Sequence, residues 1–182
     1  MEDKDQSTLA WREAITGKTI EDIRLIMITE HYLEYEDNRI WLSDGGFEIQ
    51  CTDAVFSFCF HDESGNFAFH TEPLESFLEG FDHYGIDLSP SPLYAQMKGA
   101  VITDLKVRWS GYEIHDYDGS VKEKVDIPVE FVVELENGMN IQLATIEFTL
   151  NPETMSFSKL DYNIEGNMLV CLGDIFAIPI VE

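Results

Sequence analysis

The sequence predicts an α+β fold that is mostly antiparallel β-sheet, with two short helices and an internal similarity that suggests two related β-meander halves. Three observations carry this expectation. Apolar and polar residues alternate over many strand-length runs, as in Val55–Phe60, where Phe56, Phe58 and Phe60 take every second position. Turn pairs such as Ser64-Gly65 and Asn137-Gly138 stand between such runs and favour tight hairpins. Helical spacing is confined to two stretches in the first half.

In chain order, residues 1–7 are polar and expected to fray. Leu9, Ala10, Ala14 and Ile15 then support a short helix with Trp11 facing inward and Gly17 ending it. Branched and aromatic residues recur from Thr19 to Thr29 and from Tyr32 to Leu42, which reads as two strands; Asp44-Gly45-Gly46 then turns the chain back into Phe47–Cys51. A hairpin is expected over 55–70. If Glu63 opposes Asn66, Phe60 faces Phe69 and Cys59 faces His70.

Pro73 opens the second expected helix, with Leu74, Phe77, Leu78 and Phe81 on one face, Glu75, Glu79 and Asp82 on the other, and Gly85 as its stop. A Pro/Ser-rich loop over 87–97 follows. The second half begins with a strand over Val101–Trp109, whose Val101, Thr103, Leu105, Val107 and Trp109 share a face. HDYDGSVKEK reads as a charged turn. Ile127 to Leu135 alternates cleanly into Asn137-Gly138 and a partner strand over Ile141–Leu150, and two short strands, Met155–Leu160 and Asn167–Leu172, complete the chain.

The 182 residues fit one domain, 1–182. GKTIEDIRLIM from Gly17 aligns without gaps to GAVITDLKVRW from Gly99, which marks halves 17–86 and 99–172 joined by the loop 87–97.

Thirty-five acidic side chains against eleven basic ones give a formal charge of −24. Such a field repels phosphate backbones and anionic lipid, so neither nucleic acid nor membrane is an expected partner, whereas a basic protein is. The three cysteines lack any CxxC pair, which argues for buried thiols rather than a disulfide framework. No basic, apolar leader is visible and no run approaches 18 apolar residues, so cytoplasmic residence is expected.

From Ile40 to Met97 there is no lysine or arginine, yet acids recur throughout. The helix face bearing Glu75, Glu79 and Asp82, with Asp62 and Glu63 at the hairpin tip and Tyr84 as aromatic anchor, is the expected docking surface for that basic partner. Cys59, His61 and His70, with His83, are the weak candidates for metal ligands; imidazole and thiolate suit zinc, but their spacing matches no ligand motif, so no metal or cofactor is expected. No nucleophile elbow, phosphate loop or metalloprotease signature is present, and no catalytic residue is assigned.

Small, acidic, α+β and free of catalytic motifs, the chain resembles in overall character the immunity proteins that bacteria pair with polymorphic toxins. That resemblance implies a cytoplasmic inhibitor occluding a basic toxin domain. Two other functions are weighed beside it: a small-ligand or enzymatic domain using a cleft between the halves, lined by Trp41, Trp109 or the histidines, and a nucleic-acid mimic with regularly spaced carboxylates.

Overall fold

The computed structural model describes residues 4–28, 33–35, 39–60, 66–115, 119–154, 157–164 and 166–178. Helix α1 (Lys4–Ile15) starts earlier than expected, because its first turns are tied to the sheet beneath. Lys4 pairs with Asp126 at 3.3 Å, and the Trp109 indole donates to Thr8 at 3.0 Å. Trp11 packs inward as expected, stacked on Trp109 at 5.5 Å. Gly17, at φ +83°, ends the helix.

The described strands are β1 (Ile20–Met27), β2 (Leu33–Tyr35), β3 (Ile40–Ser43), β4 (Gly46–Cys51), β5 (Val55–Phe60), β6 (Phe67–His70) and β7 (Tyr84–Ile86). After a short helix α2 (Tyr94–Met97) come β8 (Ile102–His115), β9 (Val121–Leu135), β10 (Asn140–Leu150), β11 (Phe157–Tyr162) and β12 (Asn167–Gly173). They form two antiparallel sheets: a five-stranded one ordered β6-β5-β4-β1-β7, and a seven-stranded one ordered β2-β3-β12-β10-β9-β8, with β11 on the far part of β10. The expected α+β class with dominant antiparallel sheet is what the structure shows.

The sheets do not follow the two halves strand for strand. The stretch read as one strand over 32–42 contains two, β2 and β3, paired antiparallel and joined to β12 of the second sheet. Asp44-Gly45-Gly46 is therefore a crossover between sheets and not a hairpin turn. Gly45 is required there, since a Cβ would lie 2.0 Å from the Ile26 carbonyl oxygen.

The β5–β6 hairpin forms, but two residues out of the expected register: Phe60 faces Phe67, Phe58 faces Phe69, and Cys59 faces Ala68 rather than His70. A slip of two keeps every side chain on its face, so the core is unaffected. On β8 a register shift between Ile102 and Asp104 buries Ile102 in place of Val101 and turns Thr103 outward. The expected charged turn is shorter than its sequence suggests, since β8 runs to His115 and β9 starts at Val121.

The segments aligned in sequence meet in space. Gly17 N donates to Ile102 O (2.8 Å) and Gly99 N to Ile20 O (2.7 Å); Ile20 N donates to Ala100 O (3.0 Å) and Ile102 N to Lys18 O (2.9 Å). These bonds exchange when the segments are exchanged, and Thr19 and Val101 bridge at the centre. Each segment leaves a helix through a glycine at φ +83° and shifts register before an aspartate whose carboxylate accepts the next backbone N–H, Ile23 on Asp22 and Leu105 on Asp104.

Between the sheets lies a buried core of packed aromatic rings. Phe131 of β9 meets Phe58 at 5.2 Å and Phe67 at 5.4 Å edge-on, and Trp11 closes one side at 5.6 Å. The outer face of the seven-stranded sheet is covered too: Ile40, Ala144, Ile146 and Leu169 pack with Ile178 of the C-terminal segment.

Candidate functional site

The acidic stretch after β6 does not form the expected helix. Only one 3₁₀ turn, Leu74–Phe77, is present, continued by i to i+3 bonds from Leu78 N to Glu75 O and from Phe81 N to Leu78 O. Gly80 sits at φ +92° and breaks the helical path. Leu74 and Leu78 dip into a small apolar patch with Ile26 and Cys59, whereas Phe81, expected in the core, is 50% exposed. The row of Glu75, Glu79 and Asp82 on one helix face therefore does not exist.

What replaces it begins with a carboxylate that sequence reasoning missed. Glu48 on β4 is buried, and it accepts from Arg24 Nη1 at 3.1 Å, Gln50 Nε2 at 2.8 Å and the Leu74 backbone N–H at 2.8 Å. Arg24 stands directly opposite Glu48 in the β1–β4 register, a neighbour relation that only strand pairing reveals. The second guanidinium nitrogen of Arg24 holds Glu75 at 2.5 Å. Burial pushes Glu75 up, but the Arg24 hydrogen bond and charge outweigh it and leave its carboxyl below the usual range. Glu75 is thus an anchored part of the frame.

Glu79 and Asp82 are exposed, and no cation among the described residues pairs with either. Tyr84, on the edge strand β7, is 42% exposed, and Asp87 follows it at the surface. Two aromatic rings, Phe81 and Tyr84, are thereby displayed among Glu79, Asp82 and Asp87. The Gly80 interruption was the available signal that Phe81 would leave the helical face. Asp62 and Glu63, expected at the same surface, lie outside the described residues.

Elsewhere the acids are matched where cations exist: nine of the eleven lysines and arginines form ion pairs among the described residues. The charge that remains is acidic and lies on the exterior.

The candidate metal ligands are not brought together. Cys59 is buried in the apolar patch, His70 lies opposite Ser57 with its ring 4.1 Å from Phe77, and His61 lies outside the described residues. Among the described residues no group of three or more His, Cys, Asp and Glu is placed to hold a metal ion. The cysteines are free and buried, and burial pushes the Cys51 thiol up to about 11. Of the two tryptophans expected as walls of a cleft between the halves, Trp41 is buried in the inter-sheet core and Trp109, partly buried, is stacked on Trp11. No helix among the described residues is long and apolar enough to cross a membrane. Compared with models of protein families, with curated proteins and with solved structures, the chain finds no match.

Proposed function

We propose that this protein is an acidic protein-binding module that inhibits a basic toxin or enzyme by occluding it, with the segment from Leu78 to Asp87 as its docking surface. The observation that carries the reading is the pair of exposed rings, Phe81 and Tyr84, framed by Glu79, Asp82 and Asp87 beside an edge strand. Aromatic anchors supply a disproportionate share of interface energy, and surrounding like charge steers an oppositely charged partner into place. With a net charge of −24, encounter with a cationic protein is fast, which suits an inhibitor that must act before its target does. Arg24 and Glu48 hold Leu74 and Glu75 just before the segment, and Tyr84–Ile86 pairs with β1 near its end, which limits the ordering entropy that opposes binding. The reading places the protein in the cytoplasm with a protein partner and no nucleic acid.

The test is affinity capture from the source organism's lysate at low and high salt, with mass spectrometry of what is retained, run in parallel with a Glu79→Lys/Asp82→Lys variant. One basic protein is expected on the unmodified chain, weakened but not removed by salt, and lost from the variant. Tyr84→Ala is expected to speed dissociation while leaving association nearly unchanged. Retention of nothing, or of the same set of cationic proteins by both chains, would overturn the reading.

A further inference from the structure

On the opposite side of the molecule, the outer face of the seven-stranded sheet carries a cavity of about 470 Å³, within the size range of small-molecule sites. Lys106 and Arg108, two positions apart on β8, point to this face. Opposite them on β9 stand Val132 and Glu130. The ring of Tyr162, from β11, lies against the Arg108 guanidinium at 5.1 Å. The far wall is the segment 175–178, held by the Gln142 side chain, which accepts from Phe176 N at 2.7 Å and donates to Phe176 O at 2.9 Å.

The hydrogen bonding of these groups sets what the cavity can accept. Glu130 is almost fully buried, and each of its oxygens already accepts a bond, Oε1 from Gln142 Nε2 at 2.6 Å and Oε2 from Arg108 Nε at 3.1 Å. Its carboxylate is committed to the wall. The Tyr162 hydroxyl also engages both Glu130 and the Arg108 guanidinium. A guanidinium carries five N–H donors, so Arg108 keeps donors beyond those given to Glu130 and Tyr162, and the Lys106 ammonium, whose side chain is 60% exposed, adds its own. Lys106 also pairs with Glu134, a solvent-exposed contact of the kind that exchanges at little cost. The lining thus sets two cations against one carboxylate in a chain of charge −24, and Val132, the Tyr162 ring and the side chains of the segment 175–178 supply its apolar part.

We propose that this cavity binds a small amphipathic anion, its carboxylate or sulfonate held by Arg108 and Lys106 and its apolar body lying on Val132, Tyr162 and the segment 175–178. The site is independent of the acidic docking surface, so either reading stands if the other fails.

The probe is octanoate, titrated calorimetrically into the full chain, with octylammonium as the cation of matched body. Saturable octanoate binding is expected, with octylammonium at least about tenfold weaker, since a charge-assisted contact is worth roughly that ratio or more. Arg108→Gln removes the main donor but also strips Glu130 of its cation, so the decisive variant is Lys106→Glu, an exposed position where an unchanged thermal melt verifies folding. Its octanoate affinity is expected to fall about tenfold, while Glu79→Lys, on the other side of the protein, leaves it unchanged. No saturable octanoate binding, equal binding of octylammonium, or unaltered affinity in Lys106→Glu would overturn the proposal.

Discussion

Replacing Arg24 with methionine tests the frame under the acidic surface most directly. The substitution keeps the apolar stem but removes the cation facing Glu48, a carboxylate only 1% exposed. Glu48 would retain its bonds from Gln50 and from Leu74 N, yet no counter-charge would lie beside it. Breaking a buried pair from one side costs about 3–5 kcal/mol. Because the Arg24 side chain is itself 37% exposed, water enters where the guanidinium stood, and the low end, about 3 kcal/mol, is expected. For a chain of this length that corresponds to a melting temperature lowered by roughly 6–12 °C.

The control is Glu75→Gln, which breaks the other Arg24 contact at a side chain 44% exposed and should cost at most about 1 kcal/mol. Equilibrium urea unfolding of the three proteins, followed by tryptophan fluorescence, separates these values well beyond its error. A loss under about 1 kcal/mol for Arg24→Met, or equal losses for both variants, would refute the argument that Glu48 depends on Arg24 for its charge balance.

Three further outcomes follow from the same physics. Gly45→Ala would drive a Cβ to 2.0 Å from Ile26 O and 2.7 Å from Ile26 C, both backbone atoms, so a loss of about 2–3 kcal/mol in urea melts is expected, against a near-neutral Gly85→Ala, where nothing lies within 4 Å. Phe131→Ala, which empties the centre of the ring cluster, should cost about 3–5 kcal/mol, and Phe81→Ala less than about 0.5 kcal/mol. The Asp22 carboxyl is raised by burial but lowered further by the Tyr94 hydroxyl at 2.5 Å and by Lys98, so its folded pKa lies below its unfolded one. Its stabilisation is therefore present above about pH 4 and lost as the pH falls through the folded value, and Asp22→Asn should flatten that acid limb in melts recorded from pH 7 to 3.

Local patterns were legible wherever the physics is local. Gly17 could be read as a helix end and Asn137-Gly138 as a hairpin, because a left-handed backbone position selects the residue that occupies it. Alternation in Val55–Phe60 and Ile127–Leu135 picked out side chains that fill the core between the sheets, among them Phe56, Phe58, Phe131, Val133 and Leu135, but not that the opposite face, with Cys59 and Val132, is buried too. It did not identify the register of β5 against β6, since a slip of two preserves every face, and it misassigned the start of β8, where a register shift inverts the faces. The helix expected after Pro73 had the right apolar spacing, and Leu74, Leu78 and part of Phe77 do reach an apolar patch, but Gly80 at positive φ left it a single 3₁₀ turn with Phe81 outside.

By itself the sequence determined the antiparallel class, the acidic exterior and the identity of most core residues, because burial preference and net charge belong to residues one at a time. The tertiary structure alone decided that β3 crosses to the other sheet at Gly45, that Arg24 stands over Glu48, and that Phe81 and Tyr84 face outward together. It also decided that Lys106, Arg108 and Tyr162 share a cavity. Each of these is a relation between residues far apart in the chain, set by strand order and register, and alternation along a strand constrains which face a residue takes but not which neighbour it meets.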